Sequence, residues 1–214
     1  MTLGEIIDDV LTRIEEETGS PSRWSRSDAR DSINDGLDEL SDATEFYERT
    51  AVFTLRARAV YHDVRTVGDE PFLRVSSIYN PARSRWIDAT NVRDLDDFTS
   101  RQWIRNDGEP DQWFMRGLWW LGIYPRSRSQ DSVLHLKGKA LHPHMTDETE
   151  RPRQLPEEYH RTLVEYAVYD LLARDDETAK ALEHFSEFEK MSRELDKRVA
   201  NRTQIPMRGH FGTR

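Results

Sequence analysis

There is no cysteine among the 214 residues, which excludes disulfides and thiolate zinc sites. No run of about eighteen apolar residues occurs, so a membrane-spanning helix is excluded. Met1-Thr2-Leu3-Gly4 passes straight into a helical pattern with no signal peptide visible, and synthesis in a cytoplasm is expected. Neither a Gly-rich phosphate loop nor a His-Glu-x-x-His pair is present. Positive charge is also short. The 31 Lys and Arg face 40 Asp and Glu, for a net charge of −9, which argues against a general nucleic-acid coat. Apolar residues make up only 36%, below the usual globular share, so a monomer would have a thin core. What is present is aromatic: six Trp, seven Tyr and eight Phe, each able to bury a large area. That combination favours a subunit that completes its burial against neighbours.

The charge is unevenly spread. Lys197, Arg198, Arg202, Arg208 and Arg214 stand in a C-terminal stretch without one acid, so the tail carries +5 and the remainder −14. An acidic body with a basic tail suggests contact with an acidic partner or with a neighbouring copy.

Leu3, Ile6, Ile7, Val10, Leu11 and Ile14 lie on one helical face, opened by a Thr2/Glu5 capping box and closed by Gly19 and Pro21. A second helix follows Ser25 and Asp28, with Ala29, Ile33, Leu37 and Leu40 inward. Gly36 in its middle permits close approach by another helix. From Thr50 the period shortens to two, and short strands are expected around Val52–Leu55, Val60–Tyr61, Phe72–Val75 and Trp86–Asp88. Asn91 to Trp103 reads as a short helix, Arg116-Gly117 as a hairpin turn, and Ser132 to Leu141 as a last strand broken by Gly138. Helices resume at Pro156 and again near Ala179, with a break at Asp175-Asp176.

The expected fold is therefore mainly α with a β-rich insertion: a four-helix bundle of two N-terminal and two C-terminal helices, with a projecting β-lobe and an extended C-terminal tail. The divisions are 1–48 for the first helix pair, 49–154 for the β-lobe, 155–200 for the second pair and 201–214 for the basic tail.

Candidate chemistry is sparse. His142-Pro143-His144, with His135 and with Asp147 or Glu148 nearby, could offer metal ligands, but three or four at firm spacing are needed. Surface-loop histidines are the simpler reading. Paired acids such as Asp8-Asp9, Glu15-Glu16-Glu17, Asp96-Asp97 and Asp175-Asp176 do not by proximity supply the geometry of acid–base catalysis. Trp113, Trp119 and Trp120 with Arg116 could stack bases; core or subunit contact is the reading preferred here. No catalytic residue, metal or cofactor is expected.

Four pieces in order carry a resemblance. They are the Leu3-Gly4-Glu5-Ile6-Ile7 helix, and Trp24-Ser25 leading to Ile33-Asn34-Asp35-Gly36-Leu37-Asp38-Glu39-Leu40. Then come Gly108-Glu109-Pro110-Asp111-Gln112-Trp113 with Ile123-Tyr124-Pro125, and Leu155-Pro156-Glu157-Glu158-Tyr159-His160 followed by Ala179–Phe185. Together they cover nearly the whole chain, which resembles the phage head-to-tail adaptor (connector) family. The resemblance implies a structural virion protein of the neck, made in the host cytoplasm. It implies a homo-oligomeric ring, commonly a 12-mer, docked on the portal protein above and on tail, nozzle or tail-hub proteins below. DNA would pass through the lumen without sequence-specific binding, and no membrane is involved. On that reading Ile205, Pro206, Met207, Arg208, Phe211 and Arg214 dock the portal, Trp113, Trp119 and Trp120 make subunit or tail contacts, and Asp8, Asp9, Glu15 and Glu16 are candidate lumen acids. The alternatives are a soluble hydrolase using the His142/His144 loop and a DNA-binding module using the basic tail.

Overall fold

The computed structural model describes residues 1–19, 21, 23–68, 70–99, 102–129 and 132–203. In chain order the elements are α1 (Leu3–Thr18), α2 (Arg26–Thr44), β1 (Glu48–Thr54), β2 (Tyr61–Asp63), β3 (Phe72–Asn80), β4 (Arg85–Ala89), α3 (Val92–Thr99), β5 (Asp107–Gly108), β6 (Gln112–Arg116), β7 (Trp120–Tyr124), β8 (Arg126–Ser127), β9 (Val133–Ala140), α4 (His160–Arg174) and α5 (Thr178–Thr203). They divide into two compact units, Met1–Phe46 with His144–Arg214, and Tyr47–Pro143.

This corrects the mainly-α, four-helix-bundle expectation. Five α-helices share the described chain with a seven-stranded sheet, and strand is a major component beside helix. β3 reaches further than its apolar run suggested, while β9 lies within the expected Ser132–Leu141. In β3 and β9, Arg, Ser, His and Lys occupy alternate positions, so only half of each strand looks hydrophobic.

In the first unit the capping boxes Thr2/Glu5 and Ser25/Asp28 both form, each satisfying N–H groups left without helical partners. The loop before α4 supplies two more acceptors: Glu150 O for Leu3 N–H at 2.8 Å and Glu148 O for Gly4 N–H at 2.9 Å. Asn34, buried on α2, pairs both ways with the backbone of Met145, at 3.1 and 2.9 Å. After a 3-10 turn at Glu157–Tyr159, α4 begins at His160. Its buried positions run nearly all round: Thr162 and Glu165 extend the apolar half made by Leu163, Val164, Ala167, Val168, Leu171 and Leu172. A helix apolar on several sides belongs between others, and α4 packs against α1, α2 and α5. Gly36 allows one of these contacts, because a Cβ there would lie 2.8 Å from Tyr166 Cδ1.

In the second unit the strand order is β1-β9-β3-β4-β6-β7-β2. All neighbours are antiparallel except β4 and β6, which run parallel. Directly opposed residues share a face, so the register sorts the side chains. One row, Ala51–Leu136–Ile78–Ile87, points inward, and the last three are buried. The adjacent row, Val52–His135–Tyr79–Trp86, points to the other face. Farther along that outer face, Phe114 packs with Trp103, Leu95 and Val60, so α3 and the turn after it cover the β6–β7 side. Trp103 donates from Nε1 to Asp96 at 2.7 Å.

Gly138 does not break the last strand. β9 runs through it, and β3 shifts register opposite it, between Phe72 and Arg74 and between Val75 and Ser77. A Cβ at 138 would lie 2.2 Å from the Arg74 carbonyl oxygen, so the glycine makes room for a bulge in its neighbour.

Candidate functional site

The residues expected to carry function fall into separate places. Ile205, Pro206, Met207, Arg208, Phe211 and Arg214 lie outside the described residues. The three tryptophans sit on or beside the β6–β7 hairpin but differ in exposure. Trp113 is buried in the core, Trp119 is half-buried with the Arg65 guanidinium 5.9 Å from its ring, and Trp120 is exposed. Leu118 at the tip is exposed as well, so the hairpin leaves Leu118 and Trp120 open to solvent. Arg116 folds back, donating to Tyr61 Oη at 3.1 Å.

The acids of α1 point away from its buried stripe. Asp8, Glu15 and Glu16 are exposed and Asp9 is half-exposed. Asp8 accepts from Arg26 at 2.5 Å and Asp9 from Arg13 at 3.1 Å. Arg26 also grips Glu148 with two parallel bonds, at 2.9 and 2.8 Å, the strong fork geometry of guanidinium with carboxylate.

The histidines do not converge. His142 is buried against the Tyr47 ring, with Nδ1 2.6 Å from the Pro143 carbonyl. His144 is exposed and pairs with Asp38 at 3.0 Å. His135 is half-buried on β9 beside Tyr79. Among the described residues no group of three or more His, Asp or Glu side chains is placed to hold a metal ion.

Two clefts contain titratable groups that sequence reasoning passed over. The first, of about 510 Å³, is lined by Arg13, Arg161, Glu165 and His184. The buried Glu165 carboxylate accepts from Arg13 at 2.7 Å, Arg161 at 3.1 Å and His184 at 2.8 Å. Burial alone would raise its pKa. The bonds from His184 and Arg161 and the charge of Arg13 more than reverse that and hold it at about 2. A carboxyl so firmly ionised is no proton donor near neutrality; it braces α1, α4 and α5 together. The second cleft, of about 300 Å³, is lined by His62, Asp63 and Thr66. Burial keeps the His62 imidazole neutral, with its pKa pushed down to about 4. Asp63 is taken up by Arg65 at 3.0, 3.1 and 2.6 Å, so no acid–base pair forms with His62. The advance sign of the first cluster is Glu165, an acid set within the apolar run of α4.

Charge divides by unit. Residues 47–143 hold 15 Lys and Arg against 12 Asp and Glu, net +3; the helical unit holds 16 against 28, net −12. On α2, Asp31, Asp35, Glu39 and Asp42 are all exposed. Their spacings of four, four and three put them on one helical face. Nearby groups register this field. Burial first, then Asp170, Glu39 and Asp35, push the Tyr166 hydroxyl up to about 12. Burial and then Asp170 hold the Asp35 carboxyl above the usual range.

The sequence matches the SU10 adaptor protein family, a phage adaptor family, over residues 1–209. No curated protein matches it.

Proposed function

Since the chain belongs to the SU10 adaptor protein family, we propose that it is a structural, non-enzymatic virion protein. It forms a ring in the phage neck that joins the portal to the tail and encloses part of the DNA ejection channel. The family match over residues 1–209 carries this reading. The low apolar share and the exposed Leu118 and Trp120 support it, because such a chain gains burial by assembling.

In this account the tail residues Ile205, Pro206, Met207 and Phe211 fill apolar pockets on the portal, and Arg208 and Arg214 pair with its carboxylates. Acids on the lumen wall, Asp8, Asp9, Glu15 and Glu16 among them, keep passing DNA from adhering, since a basic wall would gain affinity by releasing counterions. Trp120 and Leu118 contact the next subunit or the tail. Deletion of Ile205 to Arg214 tests the docking claim. The truncated chain is expected to keep its circular dichroism spectrum and to lose co-purification with portal protein. Undiminished portal binding by the truncated chain would refute it.

A further inference from the structure

The outer sheet face is covered over β6 and β7 but open over β1, β9, β3 and β4. Its open row is apolar and aromatic. Val52 is 65% exposed and Trp86 58% exposed, with Tyr79 packed edge-on against Trp86 at 5.2 Å. Folding would ordinarily leave such side chains inward, and an exposed row of this kind marks a contact surface. The two rows beside it are Thr50–Lys137–Ser77 and Glu48–Lys139–Arg74, on the same face. Glu48 serves both lysines, at 2.8 and 3.8 Å. Asp88, two residues from Trp86 on β4, lies on this face too, so two acids stand against three cations and the face keeps a small positive charge.

The complementary surface is on this chain. Between Arg30 and Arg49 there is neither Lys nor Arg. Over that span α2 presents its acidic stripe, with exposed Ala43 beside Glu39 and Asp42. Glu39 and Asp42 form no ion pair among the described residues. Resting on the ring reading above, we infer that the open face of β1-β9-β3-β4 docks on the α2 stripe of a second copy. Lys137 meets Glu39 and Asp42, and Trp86 and Val52 are covered by the helix around Ala43. A contact between two different patches is heterologous, so it repeats head to tail and closes a ring when the rotation allows. The net −12 of one unit and +3 of the other orient the approach.

The test uses the full chain, alone and co-expressed with portal protein. With Trp86→p-benzoylphenylalanine, irradiation is expected to give intermolecular cross-links to peptides within residues 31–45. The Lys137→Glu variant is expected to weaken self-association about tenfold or more. Adding Glu39→Lys/Asp42→Lys to the same chain restores it, which a folding defect would not permit. A ring whose cross-links from position 86 reach other peptides, another protein or nucleic acid overturns this interface and leaves the ring reading standing. Charge-swapped chains that are not restored overturn the interface as well. Absence of any oligomer, with or without portal, overturns both.

Discussion

Replacing Glu165 by Gln is expected to cost the protein roughly 3 kcal/mol at pH 7. The figure follows from the carboxyl being held from 4.5 down to about 2, because each pKa unit is about 1.4 kcal/mol of differential interaction. The substitution keeps the shape and removes the charge, leaving Arg13, Arg161 and His184 around a neutral amide. Breaking a buried pair on one side typically costs ~3–5 kcal/mol, which brackets the same value. The assay is urea unfolding of the full chain, followed by the helical signal. A pH series sharpens it. The folded pKa lies below the unfolded one, so the stabilisation is complete above about pH 4.5. It fades as the pH falls toward about 2, and parent and variant should converge there. A loss under about 1 kcal/mol, or a difference that persists unchanged at pH 2, would refute the bracing role.

Two further changes probe the β unit. Gly138→Ala forces a Cβ to 2.2 Å from the Arg74 carbonyl and is expected to destabilise by about 2 kcal/mol or more; a thermal melt within error of the parent would contradict the bulge argument. His62 is neutral when folded, its pKa pushed down by burial to about 4, so stability is present above about pH 6.5 and lost as pH falls toward 4. His62→Phe keeps a ring against Phe53 and lacks the proton site, so its melting temperature should lose that pH dependence; an unchanged slope would mean another group titrates.

Much of the helical unit was legible in the sequence because its signals are local. Thr2 with Glu5 and Ser25 with Asp28 announce helix starts, and a Gly36 amid an apolar period announces the close approach that Tyr166 makes. The β unit was less so. Gly138 looks like an interruption in one dimension and becomes a fitted contact only when β3 lies beside it. The apolar pattern of β3 covers only half its length, because Arg74, Ser76 and Ser77 dilute it. Trp103 and Phe114 meet Val60 from a distant part of the chain, a juxtaposition no short window of sequence contains. The same holds for the Glu165 cluster, whose partners come from three helices, and for the outer row Val52–His135–Tyr79–Trp86, assembled from four strands.

The most direct measurement is cryo-electron microscopy of this chain co-expressed with the portal protein. The account predicts a closed ring of copies joined to the portal through residues 205–214, with the symmetry read from the map. A monodisperse monomer that ignores the portal would contradict it.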